Sequence, residues 1–251
     1  NSREVLGYND NGRFDKNNIP KNMQFWLQMY ADELANVDKT ATRSVSAKAT
    51  TSTYTAVSPI FDCTWGQSWP YNEMCPTIGS DHAVTGCVAT AISQIMYAHK
   101  HPTKGTGSHR YTSATNNITS SVNFGSTTYD WNNMLPYYDW YHPENYTDAQ
   151  VSAVATLLYH VGVSSNMDYG VDGSGAYSGE SLYNLTEYFD YDKAINPMSK
   201  DVMPEADILT AISHDLQLGR PVYISGSTVN NEGHAFVCDG YNAEDNTFHM
   251  N

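Results

Sequence analysis

Thr85-Gly86-Cys87-Val88-Ala89-Thr90-Ala91-Ile92-Ser93-Gln94-Ile95-Met96 is the stretch on which the fold turns. A glycine and a cysteine are followed by a nearly continuous apolar run. Ala89, Ile92, Ile95 and Met96 recur at helical spacing, so Val88–Ala98 is predicted as a buried helix with Cys87 at its opening. A helix N-terminus offers free N–H groups and positive partial charge, which favour a thiolate over a thiol. The N–H beside such a cysteine is half of an oxyanion hole. Gly86 lets a substrate backbone approach closely. The plainer alternative is a small buried residue that simply packs.

Working outward, Pro59–Pro76 is aromatic and irregular, Asp81–Gly86 reads as a turn, and 102–130 reads as loops and short strands. Val151–Val163, Glu180–Phe189 and Ala206–Leu216 read as helices, with a Gly/Ser loop at Asp168–Ser178. Short alternating runs at Val222–Ile224, His234–Val237 and Thr247–Met250 read as strands. Helices come first and strands last, which predicts an α+β fold rather than alternating βαβ units. Toward the start, Pro20–Ala35 carries Phe25, Leu27, Met29, Tyr30 and Leu34 at helical spacing. Residues 36–56 lack large apolar groups and read as an exposed linker, the kind of segment proteases cut. Phe248-His249-Met250-Asn251 reads as a strand interrupted midway, so the expectation is a fragment or processed form of a longer chain.

Composition narrows the classes. With 13 basic against 27 acidic residues the formal net charge is −14, the wrong sign for a nucleic-acid partner. No apolar run reaches the roughly 18 residues of a membrane span. Few charges with many Tyr, Ser, Thr and Asn suit an extracellular bacterial protein. The cysteines, Cys63, Cys75, Cys87 and Cys238, have no CxxC spacing, and His99-x-His101 lacks a third ligand nearby. No metal and no cofactor is expected. Cys63 and Cys75 flank a Trp/Pro-rich loop and either pair or remain two buried thiols.

A thiol nucleophile needs a base. Of nine histidines, His234 stands out, preceded by Gly233 and followed by the apolar strand Ala235-Phe236-Val237. It lies downstream of Cys87 by about the 130–150 residues of papain-type peptidases. Its plain alternative is a hydrogen-bonded core histidine, and His109, His142, His160, His214 and His249 read as surface or packing residues. Gln67, in Trp65-Gly66-Gln67-Ser68-Trp69-Pro70-Tyr71-Asn72, has the side-chain amide that completes an oxyanion hole. Without context it is an ordinary surface glutamine.

Together these segments resemble the streptopain family of secreted bacterial cysteine peptidases. Thr85–Ala91 with Gln94-Ile95-Met96 resembles its nucleophile motif, and Gly233–Val237 with Asp239-Gly240 its base motif. Gln67 with Pro70-Tyr71-Asn72 resembles its oxyanion region, and Tyr129–Pro136 and Met167–Gly170 its inner segments. The resemblance implies a papain-like fold, with a helical half and an antiparallel-sheet half flanking a cleft. It also implies a secreted or cell-surface enzyme made as a zymogen. Leu6-Gly7-Tyr8 and Gly12–Asp15 resemble the end of the pro-domain. Residues 1–35 would then be pro-domain, 36–56 activation linker and 57–251 a catalytic domain truncated at its C-terminal end. The implied partners are peptide and protein substrates, with the pro-domain as inhibitor. Asn251 matches the asparagine that follows the base and would orient His234. Gly86, Ser174, Gly175, Ser225 and Gly233 would bind substrate. Another thiol acyl-transferase on the same fold, or a catalytically impaired binding or adhesion module, are the competing readings. An inhibitor has no use for the nucleophile helix.

Overall fold

Cys87–His99 forms α1, matching the apolar run and ending where Lys100 takes a left-handed conformation. The computed structural model describes residues 54–195, 197–228 and 233–251. The expected pro-domain segment with its helix at 20–35, and nearly all of the linker, lie outside the described residues. Val88, Ala89, Ala91, Ile92 and Met96 of α1 are buried, along with Thr90, Ser93 and Gln94. A helix covered on this many sides is a core element. It lies between α2 (Asp148–Ser164) and a three-stranded sheet. α2 starts at a capping box in which Thr147 and Gln150 bond each other's backbone N–H groups. Val154, Leu157, Leu158 and Val161 carry its buried stripe.

The sheet is antiparallel, ordered β5 (Val222–Ser227), β6 (Gly233–Asn242), β7 (Thr247–Met250). β6 runs past the predicted Val237 because Cys238, Asp239, Gly240 and Tyr241 are buried too. Two hairpins complete the strands: β1 (Thr77–Ile78) with β2 (Asp81–His82), and β3 (Ser108–Thr112) with β4 (Thr119–Asn123). The expected turn at Asp81–Gly86 therefore starts as a strand; its tight turn lies just before it, where Gly79 has φ +69. α3 (Ser178–Tyr188) and α4 (Glu205–Gln217) lie near their predicted positions.

One core joins α1 and α2 to Trp65, Tyr71, Phe124, Tyr129, Trp131, Phe189 and the inner face of β6. A smaller one sits around Leu216, Cys238 and Tyr241. All four cysteines are free, so Cys63 and Cys75 are two buried thiols rather than a bridge. Burial pushes the Cys75 thiol up to about 12. Among the described residues no helix is long and apolar enough to cross a membrane, and no three His, Cys, Asp or Glu residues group as metal ligands.

Candidate active site

α1 begins without a side-chain cap. The first N–H groups of a helix have no intrahelical partner, so they turn to whatever acceptor is at hand. Beside them stands the Cys87 thiol, whose charged form the N–H groups of Ala235, Val88 and Cys87 itself favour. Burial pushes the thiol above its ordinary value, and these donors pull it back only in part.

The influence of Ala235 on Cys87 links the two sequence motifs. Val237 and Asn251 exchange both backbone hydrogen bonds, at 2.9 and 2.8 Å. Residues two apart on a strand point their N–H groups the same way. Ala235 therefore points its N–H out of the same side of β6, and this is the strand group that favours the Cys87 thiolate. His234 is the adjacent residue. It is half-buried, its ring lies 5.9 Å from that of Phe236, and burial lowers its imidazole below the ordinary value.

Gln67 is anchored close by. Its carbonyl accepts the N–H of Thr85 at 3.0 Å, two residues before the nucleophile. Trp65 Nε1 donates to the Leu135 carbonyl at 2.8 Å and Asn72 Nδ2 to that of Ala83 at 3.2 Å, fixing both ends of this loop.

The expected substrate-contact residues divide. Ser174 Oγ donates to the Val84 carbonyl at 2.6 Å and accepts the N–H of Gly170 at 3.0 Å. Its hydroxyl thus staples the 168–175 loop to the segment preceding α1. Gly175 pairs with Asp168 through two backbone bonds. Ser225 and Gly233 are exposed, Ser225 opposite Ala235 on the neighbouring strand. The hydrogen bond that Asn251 Oδ1 accepts comes from Gln94 Nε2 of α1, at 3.3 Å. Gln94 lies two turns beyond Cys87 on the same helix face, and a polar residue inside an apolar run was the available signal for it. Met167, and Tyr223, whose hydroxyl is 2.7 Å from Ser178 Oγ, also lie beside the site without being singled out from sequence.

Gly86 has two reasons to be glycine. Its φ of +84 is costly for any residue with a side chain. A Cβ there would lie 2.7 Å from Met167 Sδ and 3.0 Å from the Ser174 carbonyl oxygen. Backbone strain and overpacking each cost about 1–3 kcal/mol. Gly86→Ala is expected to lower the urea midpoint accordingly and to cut activity per folded molecule. An unchanged midpoint would refute this account of the turn.

A model of the peptidase C10 family matches residues 65–251. The thiol protease/hemagglutinin PrtT of Porphyromonas gingivalis is 33% identical over 266 residues, covering 99% of this chain and 30% of that protein. Streptopain of Streptococcus pyogenes is 30% identical over 272 residues, covering 100% of this chain and 65% of that protein. The chain thus spans less than two thirds of the length of either relative. Among solved structures, active interpain A cysteine protease of Prevotella intermedia superposes with a TM-score of 0.71 at 35% identity, covering 79% of this chain and 82% of that one. A prointerpain A fragment gives 0.75 at 33% identity, covering 91% and 72%. The fold is the α+β, papain-like one that the sequence led us to expect.

Proposed function

Because the chain belongs to the peptidase C10 family, we propose that it is a cysteine endopeptidase made as a zymogen, with Cys87 as nucleophile and His234 as base. The observation that carries this is Cys87 at an uncapped helix N-terminus, on a helix packed against the strand that begins with Gly233 and His234. His234 takes the thiol proton as Sγ attacks the peptide carbonyl carbon. The N–H of Cys87 and the Gln67 side-chain amide hold the oxyanion. The imidazolium then protonates the leaving amine as the C–N bond breaks, leaving a thioester. His234 next deprotonates a water that attacks the thioester, and the acid product leaves as the thiol is restored. Burial opposes charge on either residue alone. Charges created together offset each other, so the proton moves within the pair and the two groups titrate as a unit.

Residues 57–251 form the catalytic domain in this proposal. Residues 1–35 act as the end of an inhibitory pro-domain and 36–56 as the linker cut on activation. The likeness to prointerpain over most of the chain supports this order. Secretion or display at a bacterial cell surface is part of the proposal, supported by the likeness to bacterial thiol proteases. Asn251 orients His234, and the backbones around Gly86, Gly175, Ser225 and Gly233 hold the peptide.

Intact mass after treatment with an epoxysuccinyl thiol alkylator tests the reading. One adduct is expected, on Cys87, because Cys63, Cys75 and Cys238 are buried. No adduct, or an adduct that persists in Cys87→Ala, would shift the assignment to the binding module.

A further inference from the structure

β6 and β7 do not pair regularly. From the turn, Asn242 faces Thr247, Tyr241 faces Phe248 and Gly240 faces His249; then Cys238 faces Met250. Asp239 is the extra residue, a β-bulge. Continued without a bulge, the register would set Asn251 opposite Cys238. With it, Asn251 faces Val237.

The one-residue difference decides which side of the sheet Asn251 serves, because neighbouring positions on a strand face opposite ways. Val237 and Ala235 belong to the core that contains α1, whereas Cys238 packs with Leu216 of α4. Facing residues share a side. The bulge therefore turns Asn251 toward α1, where Gln94 bonds it, and brings it one step closer to His234 along β6. In the regular register its side chain would point toward α4.

Asp239 is fully buried. Its Oδ1 lies 2.5 Å from His249 Nδ1, which donates to it, and its Oδ2 has no hydrogen-bond partner among the described residues. Its carbonyl accepts the N–H of Ile60 at 3.0 Å. A carboxylate placed in the interior and held from one side needs that partner in place. His249 sits on β7 at the bulge, two residues before Asn251, so the bond ties the extra residue of one strand to the other.

We propose that Asp239 and His249 form a register clamp, positioning residues that set Asn251 beside the nucleophile helix and so align His234 with Cys87. The clamp rests on the catalytic reading given above. Neither residue touches the reacting atoms.

The test is steady-state kinetics on the full chain. His249→Leu alone strands a buried carboxylate and is expected to fold poorly. The double variant Asp239→Leu/His249→Leu replaces both partners with apolar groups, which tends to preserve folding. Its kcat per folded molecule is expected to fall at least about tenfold, with KM within about twofold, since small misplacements of catalytic groups cost this much. His249→Asn keeps an N–H donor near the Nδ1 position and is expected to hold kcat within about threefold of the parent. Asn251→Ala should lower kcat in the parent but add less than about twofold in the double-Leu background, the mark of two changes acting on one element. Parental kcat in the double variant, or losses from Asn251→Ala that multiply independently, would overturn the clamp. Cys87→Ala, assayed alongside, separates the two failures. If it keeps turnover, the catalytic reading falls; if it is inactive while the double variant is unimpaired, only the clamp falls.

Discussion

Cys87→Ala is expected to abolish peptide turnover, a drop of about 10⁴–10⁶ in kcat, while the protein remains folded. The size follows from the chemistry, because without a sulfur no thioester forms and the oxyanion donors are left to act on an attack by water alone. The small structural effect follows from the site. Cys87 is half-buried at the first position of α1, and the helix is held by residues further along it, Ala89, Ile92 and Met96. A stability change of about 1 kcal/mol is anticipated, the ordinary range for a point substitution. Turnover assays with thermal melts on the same preparations read both quantities. Thiol-inhibitable turnover surviving in the variant would remove Cys87 from the mechanism.

His234→Ala should cost about as much as loss of the nucleophile, since the two act as a unit. It also carries a pH signature. Burial lowers the His234 imidazole below its ordinary 6.5, so the neutral base persists into mildly acidic solution. The acid limb of kcat/KM in the parent is therefore expected below 6.5. The sign for stability is the same. A depressed folded-state value means that the unfolded chain binds the proton first, so His234 stabilises the fold above 6.5 and loses that contribution as pH falls through its lower folded value. Cys87 runs the other way. Its raised value stabilises the fold below 9.0 and is lost as pH rises through the folded value. Urea midpoints followed from neutral to acid pH should decline less in His234→Ala than in the parent. Parallel declines would place the acid-sensitive group elsewhere.

The nucleophile helix was legible because its apolar spacing and its boundary fall in one short window. β6 was legible at its start for the same reason, Ala235 and Val237 alternating with His234 and Phe236. What escaped is what local pattern does not encode. Asp239 falls inside the base motif, yet its bulge depends on the length of the 243–246 turn and on a partner on another strand. Ser174 was read for substrate contact, and no local pattern announces that its hydroxyl bonds Val84, far away in sequence. The donor from Ala235 is a backbone group, and no side-chain identity announces it. Residue type pointed to the chemistry; long-range register decided which neighbours each group would have.

Burial of three of the four cysteines has a consequence for handling in air. Oxidation of a thiol follows its exposure. Cys63, Cys75 and Cys238 are buried and Cys87 is half-buried, so the first oxidation falls on Cys87. Loss of turnover on standing is then a single-site event, which a reductant reverses as long as the sulfur has gone no further than a sulfenic acid or a mixed disulfide.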